Sequence, residues 1–196
     1  NRRIVEKVGD VVKVSMTYDG DEEGSSYSAS RNAKGRLSFV SEPDLTAKFG
    51  YDALGNMVLE KKKIDGSDYF SAYGYDMLSR LKQTVYPNGI KLAYGYDYSG
   101  ALSAVKLTEP ALSERSLISK INYNERGQLS QVFYGNGGRR DYGYYGLAKL
   151  FRLQAMVGYS PAGAVLQLLD YGVDHAGNIV GLNDSSIYAT NKEIDL

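Results

Sequence analysis

The sequence predicts an all-β protein, an antiparallel meander of hairpins forming a curved strip. Three observations carry that prediction. Tyrosine and glycine are in excess, 18 and 22 of 196 residues, with no tryptophan and four prolines; tyrosine favours strands, and glycine favours turns and bulges. Tyrosines and apolar residues recur at every second position over short runs, the period that places them on one face of a strand. A Tyr-Asp-x-x-Gly-x-Leu pattern returns along most of the chain.

The clearest copies are YDALGNM from Tyr51, YDMLSRL from Tyr75 and YDYSGAL from Tyr96. Looser ones are YNERGQL from Tyr123, YYGLAKL from Tyr144 and VDHAGNI from Val173, and a worn copy, RNAKGRL, starts at Arg31. The copies begin 20, 24, 21, 27, 21 and 29 residues apart. Their seventh position is always apolar: Leu37, Met57, Leu81, Leu102, Leu129, Leu150 and Ile179. The fifth is Gly in five copies, with Ser79 and Ala148 in the others. A period of 20–50 residues marks a repeat architecture, in which one supersecondary unit is used many times.

Each unit reads as two strands and two turns. Leu92, Tyr94 and Tyr96 alternate along one strand, as do Tyr69, Tyr73 and Tyr75. The following Asp (Asp52, Asp76, Asp97, Asp174) opens a turn by accepting backbone N–H bonds. The Gly three residues later (Gly55, Gly100, Gly127, Gly177) supplies the left-handed residue that closes a hairpin with a bulge. The seventh position starts the next strand, which ends at Asp65-Gly66, Asn88-Gly89 or Asn136-Gly137, dipeptides that signal two-residue hairpins. The anchors of the array are therefore these Asp and Gly residues with Tyr51, Tyr75, Tyr96, Tyr123 and Tyr144. A glycine precedes the anchor at Gly50, Gly74, Gly95, Gly143 and Gly172, where a bulge or a tyrosine ring lying across the backbone is expected.

Around the array, residues 1–30 read as a β-hairpin region, with Val12, Val14, Met16 and Tyr18 alternating up to a turn at Asp19-Gly20. The array spans residues 31–184, with a loop inserted near 107–119 around Pro110. Residues 185–196 form a tail. Leu147, Leu150 and Leu153 have helical spacing, but Gly158, Pro161 and Gly163 break it, so this stretch reads as two strands around YSPAG. Roughly fourteen strands result, and open sheets beyond about ten strands curl or split.

Composition narrows the function. Basic and acidic residues balance at 23 each, so nothing draws the chain to nucleic acid or to anionic lipid. Cysteine is absent and His175 is the single histidine, which excludes thiolate metal sites and disfavours a Ser-His-Asp triad. No apolar run approaches the ~20 residues of a membrane helix. The N-terminus lacks the apolar core of a signal peptide, and its Asn start suggests a piece of a longer chain.

Sharper readings of single features are weaker than bland ones. Asps recurring once per hairpin are spread along the sheet, unlike the paired carboxylates of a glycosidase or the converging oxygens of a calcium site. The tyrosines pack between repeats, or else offer an aromatic face to sugars or proteins. His175 sits at a turn. GNGGRR, residues 135–140, lacks the Lys-Ser/Thr of a phosphate loop. EKKKID is a solvated strand face. No catalytic residue, cofactor or metal ligand is assigned.

The quoted repeats resemble the YD-repeat, or Rhs-repeat, family over residues 31–184. Arg31, Val173, Tyr145, Ser79 and Ala148 depart from its pattern. The resemblance implies a β-strip that spirals into a hollow shell, as in bacterial Rhs toxins and the C components of insecticidal toxin complexes. It implies a non-catalytic wall enclosing a toxic C-terminal polypeptide for delivery. The expected partners are the rest of the shell, the enclosed toxin, and toxin-complex or secretion-system components, with no nucleic acid and no membrane insertion. Localisation would be secreted, or delivered to a target cell. Family members often self-cleave at Asp-Pro elements; here the prolines follow Glu42, Tyr86, Glu109 and Ser160, so self-cleavage is not carried over. The alternative is an extracellular carbohydrate- or protein-binding adhesion module using the tyrosine face.

Overall fold

The computed structural model describes residues 3–8, 11–20, 32–186 and 192–195. It contains sixteen strands: β1 (Arg3–Val8), β2 (Val11–Tyr18), β3 (Leu37–Ser41), β4 (Leu45–Tyr51), β5 (Met57–Ile64), β6 (Ser67–Tyr75), β7 (Leu81–Val85) and β8 (Lys91–Tyr96). The second half holds β9 (Leu102–Thr108), β10 (Arg115–Tyr123), β11 (Leu129–Tyr134), β12 (Arg139–Tyr144), β13 (Leu153–Tyr159), β14 (Val165–Val173), β15 (Ile179–Asp184) and β16 (Lys192–Asp195). The sheet order is the sequence order, β1 to β16, and every recorded pairing is antiparallel. The described residues contain no α-helix, only a 3-10 turn at Leu147–Lys149. This is the all-β meander expected from the alternation.

The chain divides within β8 into two compact units, Asn1–Ala93 with Thr108–Ser113, and Tyr94–Leu107 with Glu114–Leu196. Neither unit has a thick core. The buried residues of the first are small or polar, among them Ala47, Ser15, Thr17, Ser38 and Thr84. Those of the second are Val105, Leu107, Ile121, Val132 and Val173. Strands β5, β6, β8 and β13 bury no residue fully. Within each unit the sheet is held chiefly by its own ladders and by side chains lying along it.

A bulge recurs at six of the seven copies. Gly50 pairs with Leu59 but Tyr51 pairs with Met57, leaving Val58 as the extra residue. Lys82 is left over in the same way between Gly74–Gln83 and Tyr75–Leu81, and Gln154 between Gly143–Ala155 and Tyr144–Leu153. Ser38, Ser130 and Val180 complete the series. A bulge bends the strand and increases its twist. Gly50, Gly74, Gly143 and Gly172 thus stand beside bulges, and a Cβ at Gly74 or Gly143 would meet a cross-strand side-chain carbon at 3.6–3.8 Å, with no tyrosine ring within 4 Å.

Several details differ from the sequence reading. Val11–Tyr18 pairs antiparallel with β1 on one side and β3 on the other, and the return strand expected directly after Asp19-Gly20 falls in residues 21–31, outside the described residues. The expected loop over 107–119 contracts to residues 109–114, because buried Leu107 and Ile121 draw their segments into β9 and β10. Residues 192–195 of the tail form β16 against β15. The stretch read as two strands around YSPAG is β13 and β14, while the sixth copy is longer than its letters imply. Tyr145 N–H bonds the Arg152 carbonyl at 2.9 Å, so Leu153, not Leu150, starts the next strand. Leu150 stays 63% exposed with φ 53°.

The Asn-Gly turns also differ. At Asn88-Gly89 and Asn136-Gly137 only the glycine is left-handed. Tyr86 N–H bonds Ile90 O at 2.8 Å and Gly89 N–H bonds Tyr86 O at 2.9 Å, making a three-residue loop. Pro87 explains this at the first site, since its restricted φ suits the opening residue of a type I turn. Asp65-Gly66 is the two-residue turn, with φ 47° and 81° and Ile64 paired to Ser67.

Gly66 and Gly89 therefore make a matched test. A Cβ at Gly66 meets nothing within 4 Å, so Gly66→Ala suffers only left-handed strain, about 1–2 kcal/mol. At Gly89 the same strain is joined by Pro110 Cγ at 3.0 Å. Urea denaturation should rank Gly89→Ala below Gly66→Ala and both below the parent; equal midpoints would contradict the assignment.

Candidate functional site

The chemistry-bearing residues of the repeat converge on the turns. Asp52 Oδ1 accepts from the backbone N–H groups of Leu54 and Asn56, both at 2.9 Å, and its Oδ2 accepts from Asn56 Nδ2 at 2.9 Å. Asp76 repeats this with Leu78 N–H at 2.9 Å, Arg80 N–H at 3.0 Å and Arg80 Nε at 2.8 Å. Asp97 takes Ser99 N–H, Ala101 N–H and the Ser99 hydroxyl, and Asp174 takes Asn178 N–H and Nδ2. Asn124 fills the same place with a neutral oxygen, accepting from Arg126 and Gln128 N–H. The fifth position is left-handed at Gly55, Gly100, Gly127 and Gly177, and at Ser79 too. Each Asp carboxylate is engaged by its own loop.

These bonds favour the ionised form. The Asn56 side chain, then backbone N–H groups, hold Asp52 below the ordinary aspartate value. The Arg80 N–H does so first for Asp76, the Ser99 hydroxyl for Asp97 and the Asn178 side chain for Asp174. His175 is exposed on the Asp174 turn. No group of three or more His, Asp or Glu that could hold a metal occurs among the described residues.

The tyrosines close the hairpins at their open ends. The β11–β12 ladder ends at Gln131–Asp141, and beyond it the Tyr144 hydroxyl donates to Leu129 O at 2.8 Å. Tyr51 donates likewise to Leu37 O at 2.7 Å and Tyr123 to Leu102 O at 2.8 Å. In each case the acceptor is the seventh-position residue of the preceding copy. Burial pushes the Tyr51, Tyr75, Tyr123 and Tyr144 phenols up, so they remain protonated at neutral pH. Tyr96, at the end of β8, is half-buried.

The sixth position was not singled out by sequence reasoning, yet it links neighbouring copies. Asn56 Nδ2 bonds Ser79 Oγ at 3.1 Å and Gln128 Nε2 bonds Phe151 O at 2.9 Å. Arg152, structurally the sixth residue of its copy, donates to Gly177 O at 2.8 Å and Ala176 O at 3.2 Å. The Arg36 guanidinium lies where a Cβ on Gly55 would stand. The signal was a long polar side chain before the apolar seventh residue in most copies.

No protein-family model matches the chain, and no curated protein matches it. Solved structures do. A crystal structure of TcdB2-TccC3 matches with TM-score 0.78 and 17% identity, covering 94% of this chain and 10% of that one. The Photorhabdus luminescens Tc holotoxin pore matches with TM-score 0.76 and 17% identity over 97% of this chain and 10% of that one. TcdB2-TccC3 without its hypervariable C-terminal region gives TM-score 0.76 and 17% identity over 89% and 9%. The fold is the one shared with TcdB2-TccC3. This chain spans about a tenth of those proteins' length.

Two predictions follow the turn chemistry of this TcdB2-TccC3-like sheet. The native pKa of each turn Asp lies below its unfolded value, so its contribution to stability is complete above the ordinary aspartate value and is lost as pH falls through the native one. The thermal midpoint should therefore drop on acidification below about pH 4. Asp97→Asn should flatten that drop while keeping the fold, as Asn124 does naturally; an unchanged profile would count against the carboxylate role. Separately, Tyr144→Phe leaves the ring and removes one hydroxyl donor, and should cost about 1 kcal/mol in urea denaturation.

Proposed function

We propose that this chain is a non-catalytic wall segment of a YD/Rhs-repeat protein, part of a hollow β-shell that encloses a toxic C-terminal polypeptide for delivery. The observation that carries the reading is the in-register repeat of turn, bulge and tyrosine bond over a fold shared with TcdB2-TccC3 across 94% of the chain. The thin sheet supports it. With few buried residues and no second layer described, the segment is suited to be a wall. The engaged carboxylates support it too, because they leave no acid–base pair among the repeat anchors. Tyr51, Tyr123 and Tyr144 place their hydroxyls on backbone carbonyls, which favours packing over ligand recognition for these rings.

On this reading residues 31–184 are repeat array, with the N-terminal strands and the C-terminal tail continuing or flanking it. Tyr51, Asp52, Gly55 and their counterparts are structural anchors. The partners are the remainder of the shell, its enclosed polypeptide, and toxin-complex or secretion-system components outside. The protein works outside the producing cell or inside a target cell. Exposed apolar side chains at the turn tips, Leu54, Met77 and Leu78 at 67–94% exposure, suit contact with further wall.

Solution X-ray scattering tests the wall reading. A compact chain of this length has a radius of gyration near about 16 Å. A β-rich monomer clearly above that value is the expected result. A monomer at the compact value would mean a filled sandwich or barrel, and enclosure would lose its physical basis.

A further inference from the structure

The lysine run of β5 turns two of its charges onto one face of the first unit's sheet, and a third meets them there. In EKKKID, Lys61 and Lys63 share a face and Lys62 takes the other, because side chains alternate along a strand. Lys61 pairs with Lys48 of β4, and Lys63 pairs with Thr46 two residues along. Lys48 therefore stands beside Lys61 on the same face. Like charges directly opposite each other destabilise an antiparallel pair. In three other copies the corresponding pair, two residues before the strand glycine, is Ala72–Val85, Asp141–Val157 or Asp170–Asn183, none of them like-charged. Sheet construction gives no reason for Lys48 opposite Lys61.

Thr46, Lys48, Lys61, Lys63 and Asp68 line a cavity of about 150 Å³. Its single carboxylate is taken: Asp68 Oδ2 lies 2.8 Å from Lys61 Nζ. On the other face Lys62 has its own partner in Glu60 at 2.9 Å. Among the described residues, Lys48 and Lys63 have no carboxylate partner. Glu42, Asp44 and Asp65 border the next hollow along, which Lys63 also lines, and none of them pairs with it. Aromatic rings flank the lysine pair. Phe39 is opposite Lys48 and Phe70 opposite Lys61, with ammonium-to-centroid distances of 5.7 and 4.9 Å. A ring quadrupole attracts a cation but does not neutralise it. Three lysines against one aspartate thus leave two positive charges uncompensated in one small cavity.

We infer that this cavity binds a tetrahedral oxyanion of the phosphate class. The donor set fits it. Each ammonium offers three N–H donors and no acceptor, and the Thr46 hydroxyl adds another donor. Lysine binds phosphate as a point charge, without the planar fork that arginine needs. The size fits too: the cavity has room for about five waters at ~30 Å³ each, enough for one such ion with some of its water. It is smaller than the ~300 Å³ at which pockets for larger organic ligands begin. A dianion would balance the two uncompensated charges and relieve the Lys48–Lys61 opposition. Because the chain's basic and acidic residues balance overall, the attraction is local to this face. The site uses no repeat anchor and is independent of the wall reading.

The test is proton–nitrogen correlation NMR on the full chain, titrated with sodium phosphate against sodium chloride of equal ionic strength. The pH is held at about 7.5, above the second phosphate pKa of about 6. Saturable shifts are expected at the amides of β4 and β5 around Thr46, Lys48, Lys61 and Lys63. Lys48→Met keeps an apolar stem and removes one charge, and should weaken the apparent affinity about threefold or more, the scale of one exposed ion contact. Should Lys48→Met disturb the fold, Lys63→Met, at an exposed position, reads the same loss of charge. Asp68→Asn removes the competing carboxylate and should tighten binding. A parallel titration with O-phosphoserine separates the sources of the ligand: shifts from both compounds assign the site to the phosphoryl group whatever carries it, and shifts from inorganic phosphate alone assign it to the free ion. No saturable shift with either compound overturns the inference. So does an affinity unchanged in the folded Lys48→Met and Lys63→Met proteins, or one that falls in Asp68→Asn.

Discussion

The interaction on which this structure depends is the bond from a turn side chain to its own backbone. A sheet with few buried residues cannot rely on apolar burial to offset chain entropy, so ladder bonds and turn closure carry an unusual share. Each repeat turn that follows an anchor Asp needs one left-handed residue and leaves backbone N–H groups without ladder partners. Asp52, Asp76 and Asp97 each gather two of these N–H groups on one oxygen and Asp174 takes that of Asn178, while the loop closes at the left-handed fifth residue. Asn124 shows that geometry matters more than charge, because an amide oxygen makes the same two bonds.

From that turn the remainder of the unit follows. The seventh residue enters the next strand opposite the anchor tyrosine, and the register then slips by one at the eighth. The slip is the same at Ser38, Val58, Lys82, Ser130 and Val180. A bulge leaves strands diverging at the hairpin's open end, where a carbonyl would otherwise lack a partner. The tyrosine hydroxyl reaches that carbonyl. Phenylalanine would pack equally well there and leave the bond unmade, which gives a physical reason for tyrosine at this position.

What could be read from sequence was whatever recurs with period two or stands at a fixed offset from the anchor. The strands, the Asp turns and the meander order are all of that kind. What could not be read depends on backbone geometry or on a neighbouring copy. Asn88-Gly89 has the letters of a two-residue turn, but Pro87 in front of it favours a longer loop. Leu150 stands at the seventh letter of its copy, yet the 3-10 turn carries the strand start to Leu153, three residues on. The bulge leaves no residue-type signature, since Ser, Val and Lys all occupy it. The sixth-position links are legible only when two copies are laid side by side.

A repeat this regular also makes its exceptions informative. Substituting Ser79 for Gly costs left-handed strain but preserves the turn bonds, so that departure is structurally mute. Tyr145 and Gly181 are different in kind. Tyr145 gives up the Asp turn for a longer loop and spends its hydroxyl on Tyr171 of a different strand, while Gly181 removes a side chain where its counterparts keep one. Neither change helps the sheet: glycine opposite glycine forfeits cross-strand contact and raises the entropy cost of the strand.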